Sequence, residues 1–326
     1  MSLSRRKFLQ LVGGSTAAVG LSQLWLPQIV QAILENPGNP PVIWLQGQSC
    51  TGCSVSTLNT VYPDMAKVLT EVISLEFHPT VMASAGDHAI RILDDALENQ
   101  KGKFILVVEG SIPTQADGVF CTVGEKDGKP LTILDWTVKL GNASKAILNV
   151  GTCSAFGGIP AGKPNPTGAK AVKDILPNAI MINIPGCPPH PDWIIGTIAH
   201  VLLYGLPELD SELRPKVFFK GVIHENCERR SYFEEGKFAQ DYSEEGCLFE
   251  LGCKGPMAHC DISIRGWNNG VNWCIRSGGP CYACTEPAFP DHDGAGLYGV
   301  LDKQSILGIP WRKAEADKPK NLVKLT

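Results

Sequence analysis

Twelve cysteines are distributed along 326 residues, and their spacing is the first feature that asks for a chemistry. Cys50 and Cys53 form a C-x-x-C pair in "VIWLQGQSCTGCSVSTLN", Cys153 stands alone in "GTCSAFGG", and Cys187 stands alone in "PGCPPHP". Further along come His224 and Cys227 in "HENC", Cys247 and Cys253 in "CLFELGC", Cys260, Cys274 in "NWC", and Cys281 and Cys284 in "CYAC". Thiolates gathered in fours can hold one zinc ion or a cubane iron–sulfur cluster, because tetrahedral sulfur suits both. Zinc sites more often use two local pairs, whereas one pair joined by two distant singletons suits a cluster gripped from separate loops. A disulfide framework is the third option, since twelve is even, but the density falls short of a disulfide scaffold and gives His224 no role. Eleven cysteines, all except Cys121, together with His224 make twelve ligands, enough for three sets of four.

These residues need elements to bring them together. Up to about residue 205 the sequence alternates short β-rich runs, "VIWLQ" (42–46), "VISLEF" (72–77), "FILVVEG" (104–110), "AILNVG" (146–151) and "IMINIPG" (180–186), with helical stretches such as "MAKVLTEV" and "HAIRILDDALEN". Continuously apolar strands alternating with helices predict a parallel sheet covered on both faces, an α/β doubly wound fold of flavodoxin-like type. Ligands in such sheets bind beyond the carboxyl ends of the strands. Cys50 and Cys53 follow the first strand, Cys153 the fourth and Cys187 the fifth, so all four are expected at one edge. The glycines and prolines beside them would let backbone approach an inorganic core.

After about residue 206 the apolar periodicity fades. A smaller, irregular cluster-binding domain is expected over 206–326, with metal clusters serving as part of its core. The domain reading is therefore a leader over 1–32, an α/β domain over 33–205 and a cluster domain over 206–326.

Composition narrows the functional classes. At 44% hydrophobic and 19% charged, with a formal charge of −4, the chain reads as an ordinary globular protein. No basic stripe argues for DNA or RNA binding. Arg5 and Arg6 in "SRRKFLQ" precede a weakly apolar stretch that ends in small residues near Ala32, the layout of a twin-arginine export signal. A short anchoring helix is the alternative. No later run is long and apolar enough to span a bilayer, so no stable transmembrane anchor is expected.

Several weaker signals favour plain readings. "GGIPAGKP" approaches a phosphate-loop pattern, but Pro164 stands where Ser or Thr should reach magnesium, so nucleotide binding is rejected. Cys121 reads as a buried small hydrophobe. His190 and His259 read as hydrogen-bonding residues, and Glu76 and Glu109 as solvated or hydrogen-bonded carboxylates or contributors to proton traffic. Trp193, Trp267 and Trp273 are expected to pack around clusters and interfaces.

Taken in order, "CTGCSVS", "EFHPTVMASAG", "VVEGSIPT", "GTCSAFGGIPAGKPNPTGAK", "PGCPPHPDW", "HENC", "CLFELGCKGP" and "NWCIRSGGPCYACTEPAFPD" make the sequence resemble the small, electron-transferring subunit of a nickel–iron hydrogenase, close to the nickel–iron–selenium type. The resemblance implies that Cys50, Cys53, Cys153 and Cys187 hold a proximal [4Fe-4S] cluster. It implies a distal [4Fe-4S] cluster on His224, Cys227, Cys247 and Cys253, and a medial cluster on Cys260, Cys281 and Cys284. The commonest pattern has "NWP" and a [3Fe-4S] medial cluster; here Cys274 replaces that proline, which predicts a third [4Fe-4S] cubane, or [3Fe-4S] if Cys274 does not ligate. Oxygen-tolerant members carry two further cysteines, at positions matched here by Gly52 and Gly158, so that route to oxygen tolerance is absent.

By the same resemblance the chain serves H₂ ⇌ 2H⁺ + 2e⁻ as the relay of a periplasmic enzyme. The nickel–iron centre belongs to a large subunit, no nickel is held in this chain, and a c-type cytochrome is the expected redox partner. Two other classes compete: a free-standing ferredoxin-like carrier and a disulfide-bonded secreted binding protein.

Overall fold

The computed structural model describes residues 39–61, 63–290 and 297; the expected leader over 1–32 lies outside them. Seven strands run along the chain: β1 (Pro41–Gln46), β2 (Ser74–Phe77), β3 (Ile105–Glu109), β4 (Thr122–Lys126), β5 (Lys129–Thr132), β6 (Ala146–Val150) and β7 (Met181–Ile184). Five form a sheet in the order β2-β1-β3-β6-β7, every neighbouring pair parallel. That order places the first strand between the second and third, as in flavodoxin-like folds. The remaining two, β4 and β5, make a small antiparallel hairpin that the sequence pattern does not announce.

Side chains alternate across β1, which explains why the run had to be apolar throughout. Val42 and Trp44 enter one buried cluster with Val107, Leu148 and Ile184. Ile43 and Leu45 enter the other, with Leu106, Val108 and Ile147. The second cluster is closed by α3 (Asp87–Asn99) and α4 (Ile133–Ala143), α1 being Gly52–Leu58 and α2 Met65–Lys67. Thr132 caps α4 by accepting from Asp135 N–H at 3.1 Å.

The first cluster is closed by α6 (Pro191–Tyr204), α5 being Thr152–Phe156, and by the chain after residue 205. Phe218, Phe219, Ile223, Leu248, Ile262, Trp273 and Ile275 bury against the same sheet face. Among its described residues this later half has only short helical turns, yet it shares a core with the sheet.

The second strand begins at Ser74 rather than Val72, because Val68–Val72 closes a π-helical turn directly after α2. The apolar run "VISLEF" therefore serves two elements. Among the described residues, no helix is long and apolar enough to cross a membrane.

Candidate metal centre

All twelve cysteines are free thiols. The first four meet at the carboxyl edge of the sheet, as the alternation of strands and helices predicts. Cys50 ends the loop after β1, Cys53 lies in α1, Cys153 lies in α5 directly after β6, and Cys187 follows β7. Burial pushes the Cys53 thiol well above its ordinary value, and the Glu109 carboxylate and the sulfurs of Cys153, Cys50 and Cys187 push it further. Burial likewise raises Cys153 to about 12, with Cys187 and Cys50 adding to it. Such a set favours neutral thiols by itself and becomes thiolate when a metal supplies positive charge.

Glycine makes room for these sulfurs. Gly151, at φ 95°, has no Cβ because one would stand 2.5 Å from Cys53 Sγ. At Gly158, φ 55°, a Cβ would lie 2.8 Å from both the backbone N and the Sγ of Cys153. Gly158 thus packs directly against Cys153. Gly151→Ala is expected to displace Cys53 and cost the first set its metal, about four irons if it holds a cubane, while leaving the later sets loaded. Unchanged iron content would contradict this steric argument.

Behind the pair sits Glu109, fully buried at the end of β3. Its carboxylate accepts from Trp44 Nε1 (3.1 Å), Gln46 Nε2 (3.2 Å), Ser49 Oγ (2.9 Å), Ser54 Oγ (2.5 Å) and the backbone N–H of Cys53 (3.1 Å). A buried charge needs such satisfaction, and these donors fix the turn that carries Cys50 and Cys53. The sequence admits Glu109 as a hydrogen-bonded carboxylate; its pivotal place needed the register Gln46 opposite Glu109.

His224, Cys227, Cys247 and Cys253 line one cavity with Ile223, Leu248, Phe249 and Ile275. Burial, then the Arg230 charge, lowers the His224 pKa and keeps the imidazole neutral, the form that ligates metals. Its ring meets Phe233 edge-on at 4.6 Å between centroids. The Arg229 backbone N–H donates to Cys227 Sγ and that of Cys281 to Cys253 Sγ, each at 3.4 Å. Burial raises Cys247 to about 11, with Cys253 and Cys227 contributing.

Cys260, Cys281 and Cys284 lie near one another in the later half, the first two buried and Cys284 half-buried. Burial pushes Cys260 and Cys281 well above the usual thiol value and Cys284 to about 12. Cys274 joins them, its sulfur close enough to raise both Cys260 and Cys284. Ala283 N–H donates to Cys281 Sγ at 3.4 Å.

The three sets form a chain of neighbours. Cys284 feels Cys187 of the first set, and Cys253 of the second feels Cys274 while Cys281 feels Cys253. Two buried donors beside the sets have no protein partner: Trp273 Nε1, next to Cys274, and Ser154 Oγ, next to Cys153. Unpaired buried donors next in sequence to candidate ligand cysteines are groups that a sulfide-bearing cofactor would satisfy. Among the described residues, no three His, Cys, Asp or Glu side chains converge as a single ion requires.

The remaining residues singled out above take plain roles. Cys121 stands apart, packing beside the second core cluster with its sulfur 3.9 Å from Gln46 O. His190 caps α6, with Nδ1 accepting from Asp192 N–H and Nε2 against Gly266 O. His259 pairs with Glu286, and Ser74 Oγ donates to Glu76. Trp193 donates to Asp261 at 2.7 Å, and Trp267 stacks near His190. Sequence reasoning missed Arg214, a buried residue whose guanidinium bridges Asp210 and Glu286 and bonds the Thr285 carbonyl just beyond Cys284.

Comparison with known proteins agrees with this geometry. Residues 219–295 match the family model for the C-terminal part of the NiFe/NiFeSe hydrogenase small subunit, and residues 50–201 match "NADH ubiquinone oxidoreductase, 20 Kd subunit". The chain is 47% identical to the periplasmic [NiFeSe] hydrogenase small subunit of Desulfomicrobium baculatum over 89% of this chain and 97% of that one. It is 40% identical to the hydrogenase-2 small chain of Escherichia coli K12, over 93% and 82%. It superposes on the reduced, active Ni-Fe-Se hydrogenase of D. baculatum with a TM-score of 0.77 at 46% identity, covering 81% of this chain and all of that one.

Proposed function

Because the chain belongs to the small-subunit family of nickel–iron and nickel–iron–selenium hydrogenases, we propose that it relays electrons for H₂ ⇌ 2H⁺ + 2e⁻ through three metal clusters. As a hydrogenase small subunit it is part of an oxidoreductase, and the bond chemistry belongs to a nickel–iron large subunit with which it pairs. The observation that supports the relay is the placement of the cysteines: four follow strand ends at one edge of the sheet, Thr152 beside Cys153 bonds the Cys284 carbonyl, and Cys281 N–H donates to Cys253 Sγ at 3.4 Å.

Cys50, Cys53, Cys153 and Cys187 would hold the proximal [4Fe-4S] cluster, and Cys260, Cys274, Cys281 and Cys284 the medial one, also [4Fe-4S]. His224, Cys227, Cys247 and Cys253 would hold the distal cluster. When bound, such clusters each accept and release one electron at a potential set by cluster type, charge and hydrogen bonds to sulfur. The protein's part is to hold the thiols, exclude water and aim N–H groups at sulfur. Neutral His224 removes one negative charge from the distal ligand set, which raises the potential at the exit.

Four cysteines drawn from three strand ends favour a cluster over zinc, and twelve free thiols weigh against a disulfide framework. Exposed Val55, Leu58 and Val61 on and beyond α1, with Ile159 behind Cys153, give the proximal edge an apolar surface suited to the large subunit. This favours a docked subunit over a lone carrier. The relatives named periplasmic and the Arg5-Arg6 leader support export to the periplasm by the twin-arginine route.

At the distal end, residues 225–250 hold eight acidic and three basic residues, a net charge of −5. Glu225, Glu228, Glu234, Glu235, Asp241, Glu244 and Glu245 are exposed. An acidic mouth suits a basic redox partner such as a c-type cytochrome. Electron transfer to such a partner is expected to slow several-fold as salt rises from about 50 to 200 mM; a salt-independent rate would remove the electrostatic argument.

The testing experiment is metal analysis of the natively purified complex. About twelve irons per small chain, with nickel in a larger co-purifying polypeptide, is the expected result. Iron without nickel or partner would favour the lone carrier, and no iron would return the cysteines to zinc or disulfides.

A further inference from the structure

Thr152 opens α5 immediately before Cys153 and is 1% exposed. Its backbone N–H donates to Gly186 O at 3.0 Å, and its hydroxyl accepts from Gly186 N–H at 2.8 Å. The same hydroxyl donates its proton to the carbonyl of Cys284. One side chain therefore ties together the residue after β6, the residue before Cys187 and the backbone of Cys284. These segments come from the two halves of the chain, which also share a buried core. The two anchors thus bring the backbone that precedes Cys187 to the backbone of Cys284 through one hydroxyl.

That juxtaposition sets a path for electrons. From Cys187 to Cys284 the route runs along the backbone to Gly186 N–H, across the Thr152 hydroxyl by two hydrogen bonds, and along the backbone of Cys284 to its sulfur. Tunnelling decays far less along bonds and hydrogen bonds than across empty space, so this is a well-coupled route between the first and third sulfur sets. Thr is suited to hold it, since a β-branched side chain is stiff about χ1 and both backbone groups it satisfies are inside the protein, where an unmade bond is costly.

We propose that Thr152 is the positioning residue for electron transfer between the proximal and medial sites, clamping Cys187 against Cys284. With clusters held at both sites, one electron would pass from the site on Cys187 to the site on Cys284, oxidising the first and reducing the second, with no bond made or broken and no proton moved. The proposal rests on the reading that both sets hold clusters.

The test uses the assembled heterodimer carrying T152V or T152S, with iron content measured first and the proximal and medial electron paramagnetic resonance signals then followed by freeze-quenching after mixing with H₂. In T152V, medial reduction is expected to slow about tenfold or more while iron content and proximal reduction stay at the wild-type level. T152S, which keeps the hydroxyl, should stay within about twofold. A T152V protein with full iron and a wild-type medial rate would overturn the proposal. Should T152V fail to assemble, T152A, which also lacks the hydroxyl, is measured in the same way: medial reduction slowed about tenfold or more supports the clamp, and a wild-type rate overturns it. A wild-type complex without iron would instead remove the cluster reading itself, a separate outcome.

Discussion

On the proposal that the three sites hold [4Fe-4S] clusters, replacing Cys274 with proline is expected to lower the iron content from about twelve to about eleven per chain and to produce the signal of an oxidised three-iron centre. The reason is local. Cys274, an exposed residue, lies near Cys260 and Cys284 in the later half, and raises both of their thiols. Without that thiolate one corner iron has no protein ligand, and the site would settle as [3Fe-4S]. Losing a corner also changes cluster type and charge, and the medial potential is expected to rise on the order of 100 mV or more. A redox titration monitored by electron paramagnetic resonance reads both effects together. Identical iron content and medial potential in the variant would mean that Cys274 is a neighbouring thiol and not a ligand.

The second large effect is expected at Glu109. Glu109→Ala leaves the Trp44 indole, the Gln46 amide, two serine hydroxyls and the Cys53 amide without their common acceptor. Unsatisfied buried donors cost about 1–3 kcal/mol each; even after partial rearrangement, a loss of at least about 3 kcal/mol is expected. That corresponds to a fall in apparent Tm of roughly 10 °C, and the proximal site should lose its metal because the turn bearing Cys50 and Cys53 is no longer held. Glu109→Gln keeps the shape and one acceptor oxygen, so it should fall between wild type and alanine. An alanine variant with full iron and an unchanged melting temperature would show that the carboxylate does not organise this turn.

Much of this protein can be read from residue order. The five apolar runs separated by helical stretches determine a parallel, doubly covered sheet, because only strands buried on both faces need such sequences. Residues 68–72 were harder, since "VLTEVISLEF" is apolar enough for helix and strand, and only packing after α2 decided that Val68–Val72 turns before β2 starts. The β4 and β5 hairpin was also hidden, its strands being short, exposed and charged, as in "TVGEK".

The candidate ligands were legible because thiol spacing survives in one dimension, and the carboxyl-edge rule for α/β sheets turns separate cysteines into one set. What sequence alone determined, then, is which groups exist and which strand ends carry them. Tertiary structure decided how they face each other. Glu109 becomes the anchor of the Cys53 turn only through its register opposite Gln46. Gly151 matters only because Cys53 Sγ occupies the space its side chain would fill. Thr152 reaches Cys284, 132 positions away, only because the later half folds back over the sheet face and shares its core. Hydrogen bonds and steric contacts act over a few ångströms in space, and separation along the chain carries no record of that distance.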